Sequence, residues 1–186
     1  MQRTKEISTK TIVFEGEADF SDFRLNILLQ RIHEDLPSIT SIKVKNLFFI
    51  NTNDNHHLTG EDLRRLTFIL GAKDLKGFEN KNSFIIIPRL GTISPWSSKS
   101  SEIIKNSGFT SEIRVEKGTC FYLDSESDLS SEKLYQAAFK AYDKMTQSVI
   151  LNIKEADKLF LDFASSSLRT IDLLGKGDLE LSKANL

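Results

Sequence analysis

Two runs, "SFIIIPRLGTISPWSSKSSEIIKNSGF" at residues 83–109 and, just beyond Thr110 and Ser111, "EIRVEKGTCFYL" at residues 112–123, decide how the fold is read. The apolar run 84–87 ends at Pro88 and reads as a buried strand. A polar loop follows, and the spacing then predicts a helix over 98–106. In 112–116, Ile113 and Val115 alternate with Glu112, Arg114 and Glu116, the pattern of a strand with one wet face. Gly118 offers the positive φ of a short hairpin into a second strand, 119–123. A helix over 131–145, with Leu134, Ala138, Ala141, Tyr142 and Met145 on one side, leads to a strand over 148–153. The order βαββαβ is that of a ferredoxin-like unit.

The residues before this unit give a similar, less complete series. Thr11 to Glu15 reads as a strand, and Ser21 or Asp19 can cap a helix carrying Leu25, Leu29, Ile32 and Leu36, closed by Pro37. From Ile42 the period becomes two: Ile42, Val44, Phe48 and Ile50 share one face and Lys43 and Lys45 the other, with Asn46 as the interruption. Thr59 and Asp62 open a helix with Leu63, Leu66, Phe68, Ile69 and Leu70, which Gly71 can end. Residues 72–81 read as a polar connection. The expected fold class is therefore α+β, with tandem ferredoxin-like βαββαβ-type halves sharing an antiparallel sheet. Beyond Ile153, Ala156, Leu159, Phe160 and Phe163 suggest a short helix, and the Ser-rich "FASSSLRT" precedes "IDLLGKGDLELSKANL". The chain stops at Leu186 inside a helical pattern.

With 186 residues the chain can bury about 70% of its unfolded surface, enough for a core without staples. A net charge of -1, with 27% charged and 39% hydrophobic residues, is ordinary for a globular protein and gives no reason to expect nucleic acid or a membrane as partner. Cys120 is the single cysteine, no signal-like apolar segment opens the chain, and no apolar run reaches the length of a span. A cytoplasmic location is the expectation.

Catalytic constellations are sparse. His33, His56 and His57 have no partners at metal-ligand spacing, and Cys120 within a strand reads as a small buried apolar residue. "TIDLLGKGD" fails as a phosphate loop, with Thr170 and Gly177 where the motif needs glycine and a hydroxyl. What remains is the loop into the 98–106 helix. Arg89, Thr92, Ser94, Ser97, Ser98 and Lys99 could bind a phosphate or carboxylate at the helix N-terminus. Alternatively Ser97 or Ser98 caps the helix, Pro95 stiffens the loop and Trp96 fills a niche against the sheet.

The same residues carry a family resemblance. "PRLGTISPWSSKSSEIIKNSGF" followed by "EIRVEKGTCFYL" closely resembles the N-terminal domain of the large, single-chain phosphoribosylformylglycinamidine synthase of purine biosynthesis, also called formylglycinamide ribonucleotide amidotransferase. "FRLNILLQRI" is similar to that family's first helix, and "TIDLLGKGDLELSKANL" to the opening of its linker domain. The resemblance implies an N-terminal assembly domain over residues 1–153, similar to a fused dimer of the small subunit of multi-chain versions, and a truncated linker over 154–186. It implies, for the full-length enzyme, a ligase that converts formylglycinamide ribonucleotide to the amidine with ATP and magnesium, using ammonia released from glutamine. No catalytic site, metal or cofactor is then expected within these residues, and the partners are the synthase and glutaminase domains of the same polypeptide. Arg89, Thr92, Ser94, Trp96, Ser97, Ser98 and Lys99 become candidates for contact with substrate or with a neighbouring domain. The rivals are a stand-alone ferredoxin-like module that binds a small molecule, and a small enzyme using Lys99 or Asp172.

Overall fold

A computed structural model describes residues 11–52, 58–75, 78 and 81–161. Strand β1 (Ile12–Glu17) leads to helix α1 (Asp22–His33), the long strand β2 (Ile39–Thr52), helix α2 (Gly60–Leu70) and the edge strand β3 (Ala72–Asp74). The second half repeats this order with β4 (Ser83–Pro88), α3 (Pro95–Asn106), β5 (Ile113–Ser125), α4 (Ser131–Phe139) and β6 (Gln147–Ile150). A 3₁₀ segment, Ile153–Phe160, follows. The class is α+β, as expected, with a six-stranded sheet in the order β3-β1-β2-β5-β4-β6. Every pairing in it is antiparallel. Exchanging the two halves leaves that order unchanged, and the centre of the sheet is the ladder of β2 on β5.

The expected hairpin at Gly118 does not form. Residues 113–125 are one strand, and Gly118 stands in its middle opposite Leu47. A Cβ there would lie 2.8 Å from Phe49 Cε2 and 3.0 Å from the Ile86 carbonyl oxygen, so the glycine is required by close packing rather than by a turn. Each half is consequently βαβαβ, the 72–81 connection holding the missing strand β3. Asn46 does not interrupt β2 either; it pairs with Gly16 on one side and Thr119 on the other.

Local signals explain the helix starts. Ser21 caps α1 by accepting from the Arg24 N–H, and Thr59 forms a reciprocal capping box with Asp62 on α2. Gly71, at φ 59°, closes α2 in the left-handed conformation that spares it a Cβ clash. Helix α3 begins at Pro95, earlier than 98, because Pro95 has its φ preset and Ser94, neither Ser97 nor Ser98, is the cap. Helix α4 ends at Phe139, short of Met145.

Alternation along the strands sorts the core into two layers. On one sheet face, α1 and α4 cover Ile39, Phe84, Phe121 and Leu123, while α2 and α3 cover Phe14, Phe48, Ile50, Ile113 and Val115. The opposite face, with Leu47, Phe49, Ile85, Ile87 and Cys120, is closed by Ala156 and Leu159 of the 3₁₀ segment. The wet face expected for β5 is therefore not wet: Glu116 is fully buried and Arg114 largely so. Phe163, His56, His57, Asp172 and the glycine-containing stretch 170–178 lie outside the described residues.

Candidate functional site

Strand β4 delivers the chain to a tight loop over residues 89–94, which β5 and the loop before β6 hold from two sides. The Arg89 backbone N–H donates to the Thr146 carbonyl at 3.0 Å, and its guanidinium donates to the Met145 carbonyl at 3.2 Å. Inside the loop the Thr92 hydroxyl donates to the Arg89 carbonyl at 2.7 Å. From β5, Arg114 Nη2 donates to the Thr92 carbonyl at 3.2 Å and to Glu116 Oε1 at 2.8 Å.

Ser94 is the pivot. Its hydroxyl accepts the Ser97 N–H at 3.0 Å, capping α3, and donates to Glu116 Oε2 at 2.7 Å. The negative charge that a helix N-terminus favours is thus supplied by the protein itself, as a buried carboxylate one hydrogen bond from the cap. Arg114 completes the arrangement, with its guanidinium 5.3 Å from the Phe160 ring centroid, an approach that suits a partly desolvated cation. Glu116 and Arg114 were not among the candidates read from sequence. Their signal was two opposite charges two positions apart on one strand face, which only a covering segment such as the one bearing Phe160 turns into a buried pair.

The structure divides the sequence candidates. Ser94, Trp96 and Ser97 serve the interior: Trp96 stacks on Phe48 with ring centroids 5.7 Å apart, and the Ser97 hydroxyl is buried with no hydrogen-bond partner among the described residues. Arg89, Thr92, Ser98 and Lys99 are exposed, Lys99 in an i,i+3 ion pair with Glu102 at 3.2 Å. Two apolar side chains accompany the exposed group, Ile93 at 61% and Met145 at 73% exposure. The loop therefore offers a mixed cationic and apolar surface on a stiff frame, which suits contact with another protein surface.

Cys120 is not a reactive centre. It is fully buried, and burial pushes its thiol up to about 12, so no thiolate is available near neutral pH. Among the described residues no cluster of three or more His, Cys, Asp or Glu side chains could hold a metal ion, and no helix is long and apolar enough to cross a membrane.

A protein-family model, formylglycinamide ribonucleotide amidotransferase N-terminal, matches residues 45–160. The chain belongs to that family. The match runs from within β2 through the 3₁₀ segment and contains the whole of the 89–99 loop together with Arg114 and Glu116. It places the protein in purine biosynthesis as the N-terminal domain of an amidotransferase ligase, and the family implies use of ATP by the full-length enzyme.

Proposed function

We propose that this chain is the assembly part of a formylglycinamide ribonucleotide amidotransferase and carries no catalysis of its own. In this reading the two βαβαβ halves correspond to two fused copies of a small subunit. The exposed loop residues Arg89, Thr92, Ile93, Ser98 and Lys99, with Met145, dock against the synthase and glutaminase domains and keep the path between their sites aligned. ATP and magnesium are then held by those other domains, and the segment from residue 154 leads toward the linker.

The observation that carries the proposal is the stitching of the loop. A buried Arg114–Glu116 pair, the Ser94 cap and the Arg89 contacts to the 145–146 backbone fix a surface on which Thr92, Ile93, Ser98, Lys99 and Met145 are exposed. Such rigidity limits the entropy lost on docking. The test is reconstitution of the chain with the synthase and glutaminase parts supplied as separate polypeptides. Arg89→Ala with Ile93→Ser should lower glutamine-dependent turnover at least about tenfold, the effect of losing one central interface anchor. Ammonia-dependent turnover should fall much less. Equal loss of both activities, or turnover by the 186-residue chain alone, would refute the assigned role.

A further inference from the structure

The two helix pairs leave a gap over the middle of the sheet. On their face, β2 and β5 are apolar toward both ends but carry Asn46 and Lys117 between, where α3 and the end of α2 flank the strands. A cleft of about 390 Å3 opens there. That lies at the small end of the range of about 300–1,000 Å3 for ligand sites. Asn46 and Lys117 line it from the sheet, Trp96, Ser100 and Ile103 from α3, and Asp19 from the turn before α1.

Its chemistry is specific. The side formed by α3 is largely apolar, with Ile103 48% exposed and Trp96 backed by Phe48, while the remaining lining is polar. Lys117 Nζ donates to Asp19 Oδ2 at 2.8 Å, and the carboxylate is open to solvent at 84% exposure. The hydrogen bond and charge of Lys117 hold the Asp19 carboxyl below its ordinary value, with a smaller contribution from Asn46, so the carboxylate stays ionised at neutral pH. Asn46 is buried, with its amide donating to the Glu17 carbonyl at 2.6 Å. Two carboxylates, Asp19 and Glu17, and one lysine, Lys117, line the cleft; Glu17 is paired with Lys45 at 3.1 Å, which leaves Asp19 and Lys117 to meet a ligand beside the apolar side chains of α3. A phosphate would meet Asp19 with charge unmatched, and a purely apolar molecule would desolvate the ion pair without replacing it.

We propose that this cleft binds a small zwitterion with an apolar body, the chemistry of a free α-amino acid, placing its ammonium on Asp19, its carboxylate on Lys117 and its side chain against Trp96 and Ile103. Entry of such a molecule exchanges one ion pair for two, each protein charge leaving one partner and gaining another. Asp19 is exposed and Lys117 partly so, and a pair so near solvent contributes little to stability, so opening it costs little. This inference concerns the helical layer and is independent of how the 89–99 loop docks.

Trp96 is the only tryptophan in the chain, so its emission reports on the cleft directly. The full 186-residue chain is titrated with alanine, leucine, methionine and glutamine, and in parallel with the decarboxylated amine and the deaminated acid of leucine. The expected result is a saturable emission change with at least one amino acid bearing an apolar side chain. Affinity should be at least about tenfold lower for each single-charge analogue, the value of one lost charge-assisted hydrogen bond. Lys117→Met and Asp19→Asn should each weaken binding by a similar factor with unchanged circular dichroism. Asp19→Asn, at an exposed turn, decides alone if Lys117→Met does not fold. No saturable change into the millimolar range, equal response to the single-charge analogues, or full retention of binding in Asp19→Asn would overturn the proposal.

Discussion

Replacing Glu116 by glutamine removes one charge from a fully buried position and leaves nearly every contact in place. The carboxylate accepts from Ser94 Oγ at 2.7 Å and from Arg114 Nη2 at 2.8 Å; the amide can keep the first bond, but it cannot neutralise the guanidinium. Breaking a buried pair by deleting one partner costs about 3–5 kcal/mol. Here Arg114 is still 20% exposed and keeps its bond to the Thr92 carbonyl and its place over Phe160, so the lower part of that scale, about 3–4 kcal/mol, is expected. Removing both charges in Arg114→Met/Glu116→Leu should destabilise less than the two single changes summed, by at least about 1 kcal/mol, since no lone charge remains. Ser94→Ala removes the cap and one bond to a charged acceptor, for about 1–3 kcal/mol. Urea unfolding of the parent, Arg114→Met, Glu116→Leu and their combination closes the cycle, with Glu116→Gln and Ser94→Ala measured alongside. If Glu116→Gln unfolds within about 0.5 kcal/mol of the parent, the range of an ordinary surface change, the pair does not hold the loop and the reasoning fails.

Two further outcomes follow from buried groups. Cys120 should resist alkylation in the folded protein at pH 8 and react at once in denaturant. Because its folded value is raised from 9.0 to about 12, the unfolded chain loses the proton first, and stability should fall as pH rises through that window in the parent but less in Cys120→Ala. At Gly118 the order of two variants separates a strand from a turn. With Phe49 Cε2 and the Ile86 carbonyl so close, Gly118→Ala should cost about 1–3 kcal/mol by overpacking and the larger Gly118→Asn more, whereas a hairpin glycine of positive φ would tolerate asparagine better than alanine.

What could be read from sequence was what short-range geometry decides. Ser21, Thr59 and Gly71 act within their own turn of helix, and the caps they form are those their positions announce. The strands of β2 and β4 were visible for the same reason, since period two and an unbroken apolar run describe a residue's immediate neighbours on one pleat. Gly118 escaped because glycine satisfies two different needs, a positive φ and a missing Cβ. Only Phe49 and Ile86, brought alongside by sheet pairing, show that the second applies. Ser94 makes the same point from the side of function. Its acceptor role toward Ser97 is local, but its donor role reaches Glu116, a residue 22 positions away that sequence alternation placed in water. The loop from Arg89 to Ser94 therefore owes its shape less to its flanking prolines and its own hydroxyls than to a charge pair on β5. The resemblance in its residues singles out this loop, but the means of holding it still had to come from the fold.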